Sequence, residues 1–518
     1  MKHADGQTGS RLPVARQAAS VAFGFATLRI VVLTVVALTW LVNSADAQQS
    51  VEARSLAIID AIENVVSDAI ARAEASMASI ACVRRGGGDG VLGPLDPLDP
   101  RRRQLAIEPP VGPDDPEFVP TAFGTGVVID RQGLILTNYH VLGDPELFDY
   151  YVTTIDRQKL KARVWSADPR FDLAVLKIET SDLQPIQWGD ASTLRRGHLV
   201  IALGNPYAIA SDGQVSASWG IVANLMRKAP RTPAGTTEDD AVLGPTLHEY
   251  GTLIQTDARL NLGTSGGALL NKRGEMVGLT TSIAAIAGYE KSAGYAVAID
   301  DTFRRVVEAL KARREVEYGF LGIEPDNLMP DEIRSGLRGM RVNRVLVGTP
   351  AQHSDLRPGD VITAVNDVPI FDADGLVLQI GKQPVDSIVR LTVSGEGNRD
   401  VRIVEVRLAK YPVRGRSIYQ PRDKWRGLLV DYKTVTIDEP VARPTPVEDA
   451  VVVIDVDSDS PAWQAGFRRG MFITHVDGRS VRTPDQFYTR VRDKQRDVEL
   501  RLPFGSDGDL TRTVRPAG

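Results

Sequence analysis

The sequence predicts a mostly β chain: one barrel- or sandwich-like domain, then two copies of a smaller module that holds both helix and strand. First, residues 121–300 carry many short β-type runs separated by turns: GTGVVID, LILTNYHV, ARVWSA, LAVLKI, HLVIALG, LIQTDA, EMVGLTTSI and YAVAI. Strands at this cadence belong to a barrel or sandwich, not to a parallel α/β sheet. Second, residues 347–370 (VGTPAQHSDLRPGDVITAVNDVPI) resemble residues 458–481 (SDSPAWQAGFRRGMFITHVDGRSV). In both, Pro-Ala opens a short helix, Arg-Pro-Gly or Arg-Arg-Gly follows, and an apolar strand runs into an Asn-Asp or Asp-Gly turn. The period is 111 residues, from Pro350 to Pro461, which suits two copies of a domain of about 90 residues. Third, residues 51–78 repeat apolar positions at helical spacing (Ile58/Ile59, Ile62, Val65/Val66, Ala69/Ile70, Ala73), which predicts one amphipathic helix ahead of the barrel.

The remaining elements follow in order. Residues 1–29 hold Lys2, Arg11, Arg16 and Arg29 against one acid, Asp5, and residues 30–42 form an apolar run ending before Ala45-Asp46-Ala47. That is the layout of a secretory signal peptide, 1–47, cleaved after Ala47. A retained inner-membrane anchor is the alternative, but the run is short against the roughly 20 apolar residues a span needs. Residues 79–84 read as a strand. Residues 86–118, rich in Gly, Pro and Asp, read as a long mobile loop. Residues 301–316 read as a helix with Asp300 or Asp301 as its N-cap, and 412–424 join the two repeated modules.

Composition excludes several functions. The 518 residues are 43% hydrophobic and 25% charged, which are globular values, and they suit three or four domains. The net charge is −5 with no basic block, which argues against nucleic acid as a partner. A single cysteine, Cys82, cannot form an intrachain disulfide or a Cys-rich metal site, and on an apolar strand it reads as packing. The six histidines (3, 140, 198, 248, 353 and 475) include no HExxH, and no GxxxxGK[ST] occurs. No metal, cofactor or ATP-driven step is expected.

Three places carry chemistry. Ser265 lies in Asn-Leu-Gly-Thr-Ser-Gly-Gly-Ala, residues 261–268. A serine hydroxyl needs a base to become a nucleophile. Backbone N–H groups must also hold the oxyanion that develops, and Gly263, Gly266 and Gly267 let the chain turn so that such groups point outward. His140 ends a β-type run, and Asp172 stands just before an apolar strand. Each alone reads as well as a turn, strand-end or capping residue. Together, the order His, Asp, Ser beside strands of one β-rich domain is that of chymotrypsin-like proteases.

The strings GTGVVI, LTNYHV, DLAVLKI and GTSGGALLN, followed by two repeated modules, resemble the HtrA/Deg family of exported trypsin-like serine proteases with two PDZ domains. The resemblance covers about residues 51–515 and implies a chymotrypsin-like double six-stranded β-barrel, with the site in the cleft between barrels. It implies a protease domain at 48–312 and PDZ domains at 316–412 and 424–516. His140 would be the general base, Asp172 its orienting partner and Ser265 the nucleophile, with the N–H groups of Gly263 and Ser265 as oxyanion hole. Arg259, Leu260, Ile283 and Ala284 would lie at the specificity pocket, with a small aliphatic preference. Arg259 stands where the family is small, and Thr264 where it carries Asn. Residues 226–250 look like an extended activation-domain loop.

By the same resemblance, Phe320, Leu321, Gly322 and Ile323 form a loop whose N–H groups would nest a peptide carboxylate, with the peptide added as a strand. The second module, aligned from Trp425, places Leu429 opposite Gly322, so carboxylate capture is not expected there. The expected function is ATP-independent degradation of unfolded or misfolded proteins, with C-terminal peptides bound at the first PDZ domain and a trimer-based homo-oligomer. The alternatives are a membrane-anchored signalling protease and a non-proteolytic chaperone or adaptor.

Overall fold

The computed structural model describes residues 15–85, 120, 122–205, 213–229, 246–281, 293–395, 401–413, 416–436, 449–503 and 510–516, with main chain only over 15–31 and 41–52. The chain divides into two compact units, Met1–Ser67 and Asp68–Gly518. The first is helical from Ala15 onward, and the helix runs on to Ala73. Its apolar positions Leu56, Ile58, Ile59 and Ile62 are exposed. Among the described residues, no helix is long and apolar enough to cross a membrane.

The helix predicted over 51–78 ends at Ala73. A 3₁₀ turn, Glu74–Ser76, follows, and β1 begins at Met77 (Met77–Arg84). Pairing decides this boundary, because Met77 and Ala78 already stand opposite Val127 and Gly126 of the next strand. Two flanking strands outweigh the helical preference of Ser, Met and Ala.

β1 joins β2 (Ala122–Val128), β3 (Leu134–Asn138), β4 (Phe148–Thr154), β5 (Lys159–Asp168) and β6 (Leu173–Ile178) in a closed barrel ordered β1-β2-β3-β6-β5-β4. A second closed barrel contains β7 (Leu199–Gly204), β8 (Ser216–Arg227), β9 (Leu253–Thr256), β10 (Ala268–Leu270), β11 (Met276–Thr281) and β12 (Gly294–Ala298), ordered β10-β11-β12-β9-β8-β7. The double barrel is therefore as expected. β4, β8 and β10 carry no run singled out in the sequence. Residues 86–118, the expected long loop, lie outside the described residues, as does 230–245 of the expected activation loop; the flanks of that loop are strand β8 and a 3₁₀ turn at Leu247–Tyr250.

The helix Asp301–Lys311 follows, shorter than expected and capped by Asp300, which accepts from the Phe303 N–H at 2.9 Å. It is tied to the first barrel by the Trp165 indole N–H (3.0 Å to the Lys311 carbonyl) and the Ser166 hydroxyl (2.7 Å to the Leu310 carbonyl). In the first repeated module the strands Ile323–Asn327, Met340–Val345, Val361–Val365, Ile388–Ser394 and Val401–Arg407 form one sheet in that order, with Ile323–Asn327 at the edge beside the helix Ala373–Gly381. The second module repeats the start of this plan, with Leu428–Tyr432 at the edge of a sheet with Val451–Val456 and Phe472–Ile473.

The structure corrects the alignment of the two modules. Gly322 has φ +86°, its carbonyl accepts from the Leu346 N–H at 2.9 Å, and a Cβ there would stand 2.1 Å from Thr349. Gly427 has φ +83°, its carbonyl accepts from the Asp457 N–H at 2.8 Å, and a Cβ there would stand 2.2 Å from Ser460. Gly427, not Leu429, is thus the counterpart of Gly322, and the second module keeps the glycine. The sequence alignment sets Trp425 opposite Tyr318, whereas the structure sets it opposite Phe320, two residues further on.

Lys410 locks the modules together. Its side chain is 3% exposed and bonds Glu315 at 2.7 Å and Asp431 at 2.8 Å. Burial alone would lower its pKa, but Asp431 and Glu315 hold it above the ordinary lysine value. Beside it, burial pushes Glu317 up to about 7. Replacing Lys410 alone with Met would leave two carboxylates facing each other in a dry site, which typically costs about 3–5 kcal/mol. Denaturant unfolding of Lys410→Met should show that loss, and Lys410→Met with Glu315→Gln and Asp431→Asn should recover most of it. A single variant within about 1 kcal/mol of the parent would contradict this reading of the cluster.

Candidate active site

His140 and Asp172 are 32 residues apart, but strand pairing brings them together. β3 and β6 run antiparallel with Asn138 opposite Leu173, so the residues just past β3 meet those just before β6. Asn138 ends β3, and Tyr139–Val141 forms a 3₁₀ turn. The Tyr139 N–H and the Asn138 side-chain amide both donate to the Asp172 carbonyl, at 3.0 and 3.2 Å. The Asp172 carboxylate accepts from the His140 backbone N–H at 3.0 Å and from His140 Nδ1 at 2.8 and 3.1 Å. This pairing assigns the proton to Nδ1 and leaves Nε2 as a lone-pair acceptor. Nε2 is buried and has no hydrogen-bond partner among the described residues.

Asp172 has φ +51°, a left-handed conformation that costs a non-glycine residue about 1 kcal/mol or more. Neighbours on both sides hold the peptide before it. The Phe171 N–H donates to Asp168 Oδ2 at 2.8 Å, and the Phe171 carbonyl bonds His248 Nε2 at 2.8 Å. His248 is fully buried, its Nδ1 lies 2.6 Å from the Thr252 hydroxyl, and its ring meets Phe171 edge-on at 5.1 Å. Burial holds it below the ordinary histidine value, in the neutral form that this pattern needs. Asp168 also accepts from the Tyr318 hydroxyl at the start of the first module. The buried Arg170 guanidinium stacks 4.3 Å over Tyr411 and 5.7 Å over Tyr250.

Ser265 sits in a loop shaped by three glycines. Gly263 has φ +93°, and a Cβ there would stand 2.4 Å from the Asn205 carbonyl. A Cβ on Gly266 would stand 2.1 Å from the Thr125 carbonyl, and one on Gly267 would stand 2.2 Å from the Leu203 carbonyl. The Thr264 N–H and hydroxyl both donate to the Asn261 carbonyl, at 3.1 and 2.6 Å, so the Thr at this position braces the loop. Ser265 itself is buried.

Thr125 on β2, which lies within GTGVVI but carried no role of its own in the sequence reading, ties this loop to the first barrel. Its N–H donates to the Ser265 carbonyl at 2.8 Å and its hydroxyl to the Gly263 carbonyl at 2.7 Å. The same hydroxyl accepts from the Asn205 N–H at 2.8 Å, and the Thr125 carbonyl accepts from the Thr137 hydroxyl at 2.8 Å. The adjacent Gly124 fits between Val141 and Ser265: a Cβ there would stand 2.6 Å from the Val141 side chain and 3.3 Å from the Ser265 carbonyl. The turn that carries His140 and the loop that carries Ser265 therefore meet at Gly124.

Of the expected specificity residues, Ile283 and Ala284 lie outside the described residues. Arg259 is exposed, and its carbonyl accepts from the Ser218 hydroxyl at 2.9 Å. The Leu260 side chain packs on Gly294. Cys82 is buried with its thiol 3.2 Å from the Val141 carbonyl, and burial pushes it up to about 12, so it stays protonated and inert. In the first module, Phe320 pairs with Ala409 and meets Tyr411 edge-on at 5.8 Å, and the Leu321 carbonyl accepts from the Ala351 N–H at 2.9 Å.

Comparison with known proteins identifies the domains and the family. A family model described as a trypsin-like peptidase domain matches residues 124–279, and one described as a PDZ domain matches twice, at 341–394 and 452–502. A probable periplasmic serine endoprotease DegP-like from Brucella suis biovar 1 is 33% identical over 398 residues, covering 75% of this chain and 71% of the relative. The periplasmic serine endoprotease DegP of Salmonella typhimurium is 29% identical over 369 residues, covering 70% of each. Among solved structures, the HtrA-type protease AlgW with decapeptide is 25% identical, with 67% of this chain and 99% of that chain covered and a TM-score of 0.48.

Burial raises Asp168 from 3.8 to about 7, against the lowering effect of its bonds from Tyr318 and Phe171. A carboxyl raised on folding stabilises the fold at low pH and loses that contribution as pH rises through the folded value. The melting temperature of wild type should therefore fall relative to Asp168→Asn between pH 5 and 8. His248 is present in both proteins, so its opposite trend cancels in the difference. A constant difference across that range would contradict the burial of a titrating carboxyl here.

Proposed function

Because this chain belongs to the family of DegP-like periplasmic serine endoproteases, we propose that His140, Asp172 and Ser265 are its catalytic triad and that it degrades unfolded or misfolded proteins after export. It is a serine endopeptidase with a trypsin-like domain and two PDZ domains. The observation that carries the triad is the doubly bonded His140–Asp172 pair, which leaves Nε2 as an acceptor unpartnered among the described residues, on a turn that meets the glycine-framed Ser265 loop at Gly124.

In this reading the Ser265 hydroxyl attacks the peptide carbonyl while His140 Nε2 takes its proton. Asp172 keeps the proton on Nδ1 beforehand and stabilises the imidazolium that forms. The backbone N–H groups of Gly263 and Ser265 hold the oxyanion of the tetrahedral intermediate. His140 then gives the proton to the leaving amine, and water repeats the sequence on the acyl-enzyme. Catalytic hydrogen bonds often tighten only with substrate bound, so Ser265 meets Nε2 as the cleft closes on a peptide. Leu260 against Gly294 favours a small aliphatic residue before the cut bond, and Arg259 favours an acidic neighbour. The leader-like N-terminus supports export. The carboxylate loop Phe320–Ile323 supports capture of peptide C-termini by the first PDZ domain.

Purified protein should cleave casein and take up a fluorophosphonate label. Ser265→Ala should lose both, and His140→Ala should lower turnover by several orders of magnitude. An active Ser265→Ala protein would overturn the assignment. Thr125→Val keeps the shape at the seam but leaves the Gly263 carbonyl and the Asn205 N–H without their hydroxyl partner. An unpaired buried group costs about 1–3 kcal/mol, so kcat should fall by about tenfold or more, with KM little changed. Thr125→Ser should restore it, and an unaltered kcat in Thr125→Val would show that the seam does not shape the loop.

A further inference from the structure

We propose that Pro325 breaks the main-chain ladder of the first PDZ domain's groove just upstream of the carboxylate loop, so that the groove reads only the end of a polypeptide. This deepens, and rests on, the reading of Phe320–Ile323 as a carboxylate loop.

The edge strand Ile323–Asn327 has its sheet neighbour on one side only. Its alternation is fixed by two bonds. The Gly322 carbonyl accepts from the Leu346 N–H at 2.9 Å, so residue 322 faces the neighbouring strand. Val342, opposite Pro325, donates instead to the Asp360 carbonyl on its other side, at 2.8 Å. Ile323 and Pro325 therefore turn their backbone groups toward the open edge, where an added strand would lie. Ile323 has an N–H to offer there, whereas Pro325 has none and presents its ring instead. An incoming peptide can bond at the loop and at Ile323, and at Pro325 meets a carbonyl but no donor, so the ladder is interrupted there. Leu321, Leu376 and Ile380 are buried in one apolar core, and Ile323 packs against it, so the module behind the loop is apolar.

The second module makes the contrast internal to this chain. There Val430 stands where Pro325 does, opposite Val453, which likewise donates away, to the Met471 carbonyl. Val430 has an outward N–H, but it donates to the Tyr488 hydroxyl on the helix Pro484–Val491, at 3.3 Å. The Leu428 N–H, counterpart of that of Ile323, donates to the Trp425 carbonyl at 2.8 Å. The second groove satisfies both donors from within, while the first leaves its loop open and has lost the upstream donor to proline.

The test uses full-length Ser265→Ala protein, so that peptides survive, and fluorescence anisotropy with a labelled decapeptide ending in a free Val. The competitors are the unlabelled decapeptide, its C-terminal amide, and a dipeptide with the same end. The decapeptide and dipeptide should compete within about threefold of each other, and amidation should weaken binding at least tenfold. One net hydrogen bond is worth about 0.5–1.5 kcal/mol, so Pro325→Ala should tighten the decapeptide roughly three- to tenfold and leave the dipeptide unchanged. Pro325→Val, which also restores an N–H, should do the same if the Ala variant is unstable. A decapeptide more than tenfold tighter than the dipeptide, or no gain in a folded Pro325 variant, would overturn the ladder break while leaving carboxylate capture intact. Equal binding of acid and amide would overturn the carboxylate loop, and this inference with it.

Discussion

Thr125 is the residue through which two separately closed barrels become one site. A closed barrel has no free edge with which to extend toward a neighbour, so the cleft has to be assembled by loops and by side chains that reach across it. Thr125 uses its N–H, its carbonyl and both functions of its hydroxyl, and it does so fully buried. Three of these four bonds reach the second barrel or its loops, and the fourth reaches Thr137 on the strand that leads to His140. Buried hydrogen bonds contribute modestly when made but cost much when unmade, so this residue tolerates little displacement of Gly263 or Ser265. The loop geometry is therefore imposed from the barrel opposite to the one that carries it.

A similar logic governs the turn at Asp172. Its left-handed backbone is unfavourable alone and persists because the surroundings over-determine it. Asp168 and His248 hold the two polar groups of Phe171, and each is held in turn from elsewhere: Asp168 by Tyr318 and His248 by Thr252. Arg170 adds two aromatic partners, Tyr411 and Tyr250. Tyr318 and Tyr411 lie at the two ends of the first repeated module. The first module thus belongs physically to the support of the carboxylate that bonds His140, and the barrels and this module are joined there by buried contacts.

Much of this was legible in the sequence. Nine of the barrel strands announce themselves as β-branched or aliphatic runs. The three residues of the proposed triad stand beside strands in an order that few other folds share. What the sequence hides has specific physical causes. β4 (FDYYVTT) and β8 (SASWGIVANLMR) are polar enough on their outward faces to look like connecting chain, and β10 is three residues long. Thr125 is one threonine in a strand, where threonine is common, and its role depends on a partner 138 residues away. His248 is one of six scattered histidines, and nothing local marks it as the bond to Phe171. Gly427 was missed because matching the opening aromatics set Trp425 opposite Tyr318 instead of Phe320, whereas the positive φ and the tight contact with Ser460 identify the position directly.

The two repeated modules show how one scaffold comes to hold different chemistry. Both keep the glycine, because the backbone there is left-handed and a neighbouring Thr or Ser leaves no room for a side chain. Both keep the edge strand. They differ in what happens to one outward N–H, removed by Pro325 in the first and bonded to Tyr488 in the second. An exposed strand edge with all its donors free would pair with almost any extended chain, a hazard wherever extended polypeptide is present. In the reading proposed above, blunting the edge in both modules while leaving one carboxylate loop open would restrict capture to chain ends. On that proposal the protease would hold a polypeptide by its terminus while the rest of the chain remained free to enter the cleft.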